Sequence, residues 1–339
     1  MVSLVKIVLN LNTNDYYIGY IVDQNQEFVV LQSIDADGNL GGLEYIKNSA
    51  IKTIKQDSPE LDFCNHFKVR DIFNLKKLNS SFLSLDIDSF ESLLAKISTH
   101  ELITVSTKNG NDLTGHVLKA DNLKVLFKLN NQEYPLVIPI EDIVGISIND
   151  IKNILENIYH EASSNQDDLV ALYLDYEDDE RFGEALIGAV VFHNDDYLVL
   201  ESLNDIGQLD SYVLINRNYI VHTDQDTELL SYYSFLKKWQ IKNGSFDFNN
   251  LRSQLIQFDQ SISIDSFLQS KIGDMVTIND YQLDNVNTGK IVKLEDKKLY
   301  LSNIDDFRLS NNIQEFNYSD LASVDLISND LLRMKQFFN

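Results

Sequence analysis

One sequence pattern occurs four times along the chain, first in Ile18-Gly-Tyr-Ile-Val-Asp-Gln-Asn-Gln-Glu-Phe28-Val-Val-Leu-Gln-Ser-Ile-Asp35. A glycine lies inside an apolar stretch, and a strand-like octet begins nine residues after it. The four glycines are Gly19, Gly115, Gly188 and Gly289, and the octets cover 28–35, 124–131, 197–204 and 298–305. A repeat of this kind determines the whole architecture. The sequence therefore predicts four copies of one β-rich unit.

A third element follows each octet, with apolar residues spaced five and then three positions apart. It reads Ile46, Ile51 and Ile54; Ile138, Ile143 and Ile146; Ile215, Ile220 and Thr223; and Phe316, Leu321 and Val324. The first and third copies are separated by about half of the 339 residues, and so are the second and fourth. The predicted plan is a tandem duplicated pair, A–B–A′–B′.

Each copy is predicted to be a small five-stranded barrel, so the fold class is mainly β with connecting helices. Val, Ile, Tyr and Phe favour strands, and a glycine within a strand permits the sharp bend that a small barrel needs. Apolar residues at helical spacing over 60–77 and 226–241 predict connecting helices. The predicted segments are 1–58 (barrel A), 59–98 (helical connector), 99–149 (barrel B), 150–166 (helix and linker), 167–224 (barrel A′), 225–272 (helical connector), 273–327 (barrel B′) and 328–339 (C-terminal helix).

The barrels are expected to pair within each half of the chain. An open strand edge exposes backbone groups that seek partners, so A should pack on B, and A′ on B′, through their edges. Ile138 and Phe316 are expected in strands close to these seams.

These units resemble the Sm-like family of small SH3-like barrels, and the resemblance covers about two-thirds of the chain. The family's first motif has an acidic or amide residue six positions after the glycine. Here those positions hold Asn25, Asp121, Asn194 and Glu295. The family's second motif has the five-then-three spacing seen from Ile46 to Ile54. The resemblance implies a barrel fold and, in the family, RNA binding.

The positions that contact RNA in the family are replaced in this chain. The family's base-contacting Asn, ten residues after the glycine, is replaced by Val29, Val125, Leu198 and Leu299. Its Arg-Gly pair is replaced by Lys47-Asn48, Pro139-Ile140, Asn216-Arg217 and Asn317-Tyr318. An aliphatic side chain offers no donor or acceptor to a base edge. The scaffold is therefore predicted to be retained and the RNA pocket lost.

The charge of the chain also disfavours nucleic acid. The formal net charge is -24, and a phosphate backbone is bound largely by Lys and Arg. The densest basic pairs are Lys76-Lys77 and Lys237-Lys238, each interpreted as ending a helical stretch, where cations complement the helix dipole. A protein is the expected partner.

No catalytic residue, cofactor or metal site is predicted, and no motif of an enzyme active site occurs. Cys64 and His66 supply two ligands where structural zinc needs four. The segment from Asp35 to Asn39 lacks the full calcium-loop pattern and is interpreted as a turn. The acidic run from Asp175 to Glu180 is interpreted as a solvated hairpin tip.

The chain is therefore interpreted as a non-enzymatic scaffold or protein-interaction module. The alternative is an Sm-like RNA-binding protein with a displaced site. No apolar run approaches the roughly 20 residues of a membrane helix, and no signal peptide is evident, so a cytoplasmic location is expected. The sequence leaves the binding residues, the partner and the oligomeric state open.

Overall fold

The computed structural model describes residues 3–10, 16–97, 99, 101–129, 132, 134–161, 168–174, 185–254, 261–280, 285–305 and 307–338. The chain divides into two compact units, Met1–Glu161 and Ala162–Asn339. Each unit contains one antiparallel sheet of ten strands, so the protein is mainly β, as predicted.

The sheet of the first unit has the order β5-β1-β2-β3-β4-β10-β6-β7-β8-β9. Its strands are β1 (Leu4–Leu9), β2 (Tyr16–Gln24), β3 (Phe28–Ile34), β4 (Leu40–Lys47), β5 (Ile51–Lys55), β6 (Ile103–Thr107), β7 (Asp112–Ala120), β8 (Lys124–Leu129), β9 (Leu136–Pro139) and β10 (Ile143–Ile148). Its helices are α1 (Pro59–His66), α2 (Leu75–Leu83), α3 (Phe90–Lys96) and α4 (Ile151–Glu161).

The second unit repeats this order as β15-β11-β12-β13-β14-β20-β16-β17-β18-β19. Its strands are β11 (Val170–Leu174), β12 (Leu186–His193), β13 (Tyr197–Leu203), β14 (Leu209–Asn216), β15 (Ile220–Asp224), β16 (Met275–Asp280), β17 (Asn285–Glu295), β18 (Lys298–Asp305), β19 (Arg308–Asn317) and β20 (Leu321–Ser328). Its helices are α5 (Glu228–Lys242), α6 (Leu251–Gln254), α7 (Ile264–Gln269) and α8 (Asn329–Phe338). Strands β3, β8, β13 and β18 lie within the four predicted octets, and residues 130–131 of the second octet are outside the described residues.

The five strands of each copy do not close into a barrel of their own, which corrects the prediction of four separate barrels. Strands β4 and β5 are joined by the single 3-10 turn Asn48–Ala50, yet they lie at opposite ends of the order β5-β1-β2-β3-β4. The five strands must therefore curl so that these ends approach each other. Strand β4 pairs with β10, not with β5, because pairing two copies satisfies the open edge of both.

The two seams confirm that A pairs with B, and A′ with B′, through strand edges. Tyr45 lies opposite Ile146 across β4 and β10, and Leu214 lies opposite Val324 across β14 and β20. The placement of Ile138 and Phe316 near the seams was wrong. They lie in β9 and β19, the outermost strands, because β10 and β20 are the strands adjacent to β4 and β14.

The glycine in each long strand is required by a close approach of the neighbouring strand. Gly19 lies opposite Ser33, and a Cβ atom at Gly19 would lie 2.2 Å from the carbonyl oxygen of Gln32. Equivalent contacts of 2.2 Å face Gly115 and Gly188. A register shift follows each glycine, as at Ile21 and Asp23. The glycine and the bulge together permit the strong twist that curls the strands.

The connecting helices differ from the prediction. Helix α1 ends at His66, because the backbone of Arg70 bonds the β3–β4 turn: its carbonyl accepts from the N–H of Leu40 at 2.7 Å. Lys76 and Lys77 therefore begin α2 and do not end a helix, and Lys237 and Lys238 lie within α5. Helix α3 packs on the first seam: Phe90 contacts Phe28 edge to face, with ring centroids 5.8 Å apart.

The hydrophobic core of the first unit crosses the seam, which predicts that its two copies fold together. Phe28 and Tyr45 of copy A share one buried cluster with Phe127 and Ile146 of copy B. A fragment of residues 1–161 is expected to melt in one cooperative transition. Residues 1–58 alone are not expected to fold, because the edge of β4 and its apolar face lose their partners. Thermal melts followed by circular dichroism check this, and a stable 1–58 fragment would contradict it.

Candidate interaction sites

Each sheet ends in two strands that pair on one side only, within the part of the chain that the structure describes. These edge strands are β5 and β9 in the first unit and β15 and β19 in the second. Three of them are short, with five, four and five residues for β5, β9 and β15, and β9 is flanked by proline. Short strands and proline are common protections of a sheet edge. Strand β19 has ten residues without proline, so it is the least protected edge.

The surface of β19 combines open backbone with an exposed aliphatic side chain. Ile313 is 56% exposed. The side chains beside it are occupied within the sheet: Lys298 pairs with Glu315, and the Ser302 hydroxyl donates to the carbonyl of Ser310 at 2.6 Å. An extended segment could add to this edge with its own backbone hydrogen bonds.

The seam of the first unit holds a buried carboxylate. Glu44 on β4 is 7% exposed and lies opposite Ser147 on β10. Its Oε1 accepts hydrogen bonds from the hydroxyls of Ser147, at 3.0 Å, and Ser33, at 3.2 Å. Burial and the negative charge of Asp150 raise the pKa of Glu44 to about 8, against the opposing effect of the two serines.

In the second unit, the seam carboxylate is on the opposite strand. Val213 on β14 occupies the position of Glu44, and Asp325 on β20 lies opposite it, where the first unit has Ser147. Burial raises the pKa of Asp325 to about 7, and a hydrogen bond with Ser328 opposes that shift.

A cavity of about 230 Å³ lies at this second seam. Its polar lining includes Ser202, Asp210, Ser211, Ser323, Asp325 and Asp330. Leu186 and Ile278 form an aliphatic part of its wall. We call this space the seam cavity.

Beside each seam, a polar network ties a connecting helix to the sheet. In the first unit, Asn79 of α2 donates to Gln32 at 2.8 Å. In the second unit, Arg252 donates three hydrogen bonds to Glu201, and the Tyr212 hydroxyl donates to the same carboxylate at 2.7 Å. Burial alone would raise the pKa of Glu201, but these donors hold it below its ordinary value. The polar groups of these networks form hydrogen bonds with one another, so we infer that the networks stabilise the fold.

The aliphatic residues at the family's base-contacting positions are buried. Val29, Val125, Leu198 and Leu299 all point into the core, so they cannot contact a base. The acidic or amide residues of the first motif hold turns: the side-chain oxygens of Asn25, Asp121 and Asn194 accept from the backbone N–H three residues later, at 2.9, 3.0 and 2.7 Å. Glu295 pairs instead with Lys293.

The other residues singled out in the sequence do not assemble into a site. Asp35 accepts hydrogen bonds from the backbone and side chain of Asn39, which makes this segment a turn. Among the described residues, no group of three or more His, Cys, Asp or Glu could hold a metal ion, and this includes Cys64 and His66. The acidic run 175–180 lies outside the described residues. No helix in the described ranges is long and apolar enough to cross a membrane.

Comparisons with known proteins add little. No protein-family model matches the chain, and no curated protein matches its sequence. Among solved structures, it is aligned with the four MBT repeats of Drosophila melanogaster Sfmbt in complex with a peptide, RHR (me)K VLR. The alignment has 8% identity and covers 95% of this chain and 88% of that chain, with a TM-score of 0.14. A TM-score this low supports no conclusion about fold or function.

Proposed function

We propose that this protein is a non-enzymatic scaffold, built from open Sm-like barrels, that binds another protein along the free edge of β19. The observation that carries the proposal is the contrast among the four sheet edges. Three are short, whereas β19 presents ten residues of backbone and the exposed Ile313. Edges of this length normally find a partner strand.

The expected partner is an extended segment of a protein chain. Backbone hydrogen bonds to β19 would supply much of the affinity, and alternate side chains of the partner would supply specificity. RNA is disfavoured, since the family's base-contacting positions are buried aliphatic residues and the net charge is -24.

Replacing Ile313 with lysine tests this proposal. A lysine on an edge strand opposes the addition of another strand, and Ile313 is exposed, so the fold should tolerate the change. We expect Ile313→Lys to weaken binding of a partner recovered from the source cells by at least about tenfold, which corresponds to about 1.4 kcal/mol. Binding is measured with the purified partner. Hydrogen exchange should show protection of the β19 amides in the wild-type complex.

The matched control is Val221→Lys on the short edge strand β15. Val221 is 54% exposed, and the substitution adds the same charge to an edge strand of the same unit. It should leave affinity unchanged. Equal affinity of both variants, or a complex without protection in β19, would show that the partner binds elsewhere.

A further inference from the structure

Three serines of the second unit have hydroxyl groups with no hydrogen-bond partner among the described residues. Ser202, Ser211 and Ser323 are 5%, 4% and 6% exposed, and all three line the seam cavity. Buried polar side chains are nearly always paired with protein, water or a ligand. The cavity therefore offers three hydroxyls to a molecule that can hydrogen-bond to them.

The first unit shows what satisfies the equivalent position. Ser33 lies opposite Gly19, and Ser202 lies opposite Gly188, so the two serines are equivalent in the repeat. Ser33 donates to Glu44. The second unit has valine in the place of Glu44, so Ser202 lacks this acceptor.

The lining defines the chemistry of a ligand. Asp210, Asp325 and Asp330 provide negative charge, and the serines provide further acceptors. Leu186 and Ile278 provide an apolar surface suited to a methylene chain. Within the described ranges, these carboxylates do not form a group that could hold a metal ion. The lining therefore favours an organic cation.

We propose that the seam cavity binds a primary alkylammonium group, the chemistry shared by a lysine side chain and a free aliphatic amine. An ammonium has three donors for carboxylates and hydroxyls, and its stem would lie along the aliphatic wall. The raised pKa of Asp325 agrees with a buried carboxylate that lacks a cation. None of the cavity residues belongs to β19, so this proposal is independent of strand addition at that edge.

The same chemistry excludes a quaternary ammonium. A trimethylammonium group has no N–H to donate to Asp325 or the serines. Cavities that bind such groups use aromatic faces, and no aromatic residue occurs among the described lining residues.

Calorimetric or NMR titration of the full chain, in about 150 mM salt to screen long-range attraction, tests the proposal. The probes are pentylamine, pentyltrimethylammonium and Nα-acetyl-lysine amide. Pentylamine should bind saturably, and pentyltrimethylammonium should bind at least about tenfold more weakly. Binding of the lysine derivative as tightly as pentylamine identifies a lysine side chain as the source. Its failure to bind, with pentylamine bound, identifies a free amine.

Substitutions in the seam cavity test whether pentylamine binds there. Asp325→Asn should weaken pentylamine binding by at least about tenfold. The double variant Val213→Glu with Asp325→Ser recreates the arrangement of the first unit and should abolish binding. The control Asp226→Asn removes one exposed charge outside the cavity, at a left-handed position that asparagine tolerates, and should leave binding unchanged. Circular dichroism verifies that each variant is folded.

Three results would overturn the proposal. One is the absence of saturable pentylamine binding to the wild-type chain. Another is equal binding of pentylamine and pentyltrimethylammonium, because this would show that hydrogen bonds from the ammonium N–H groups do not contribute to binding. The third is binding that survives in the folded double variant.

Discussion

Gly115→Ala is expected to lower the free energy of unfolding of the first unit by about 3 kcal/mol. A Cβ atom at Gly115 would lie 2.2 Å from the carbonyl oxygen of Lys128, which belongs to the backbone of the neighbouring strand. Relief would require β7 and β8 to separate where they pair most closely. The melting temperature of the unit should fall by about 6–12 °C, measured by circular dichroism or calorimetry.

Gly145→Ala is the matched control. Gly145 lies in β10 of the same sheet, but a Cβ atom there would meet its nearest neighbours at 3.6 Å, an ordinary contact. This change should alter stability by less than about 1 kcal/mol. Equal effects of the two substitutions would show that loss of glycine itself, and not the close approach at Gly115, determines the cost.

The repeated strands could be predicted from sequence because their cause is local. The close approach at Gly19 demands glycine, and the octet that follows must be apolar because it is buried on both sides, as Phe28 and Val29 are. These requirements lie within one 18-residue stretch. They recur wherever the unit recurs, so the order of strands within a copy followed from the pattern.

The joining of two copies into one sheet could not be predicted in full. Strand β4 could pair with β5 to close a barrel or with β10 of the next copy, and both candidate partners are short strands. The choice depends on how far the first five strands curl and on the packing of Phe90 over the seam. The local pattern of apolar residues predicts neither the curl of the strands nor this packing.

The interruption between α1 and α2 is marked in the sequence by a short motif, which the spacing of apolar residues does not show. The sequences Asp71-Ile-Phe-Asn-Leu75 and Asp247-Phe-Asn-Asn-Leu251 are similar. In both, the aspartate Oδ1 accepts from the backbone N–H of the leucine, at 2.6 and 2.7 Å. The two aspartates thus start α2 and α6. The repeat in the sequence therefore extends from the strands into the connectors.

The seam carboxylates were also missed, since their character depends on distant residues. Glu44 alternates with apolar neighbours in β4, a pattern that favours a solvent-facing side chain. Its burial follows from β10, which places Ser147 opposite it across 103 positions of sequence. The seam cavity depends in the same way on strands from both copies.

Glu44→Gln is expected to stabilise the first unit at pH 8.5 by about 3 kcal/mol or more. Burial raises the pKa of Glu44 from 4.5 to about 8 in the folded chain. Between these two values the unfolded chain has released the proton while the folded chain still holds it. Unfolding then releases a proton, so stability is full below pH 4.5 and falls as the pH rises toward 8, by up to about 1.4 kcal/mol per pH unit. Glutamine cannot ionise, so the variant avoids this loss.

Urea unfolding at pH 5.5 and pH 8.5, followed by circular dichroism, measures the effect. At pH 5.5, one unit above the pKa of Glu44 in the unfolded chain, the wild type has lost only about 1.4 kcal/mol of this stability. The neutral glutamate and the glutamine amide can accept the same serine hydrogen bonds, so the variant should exceed wild type there by no more than about 2 kcal/mol. The control Glu141→Gln, at an exposed position of the same unit, should behave as wild type at both pH values. A Glu44→Gln variant that is less stable than wild type at pH 8.5 would mean that the ionised carboxylate, held by Ser33 and Ser147, stabilises the seam more than its burial costs.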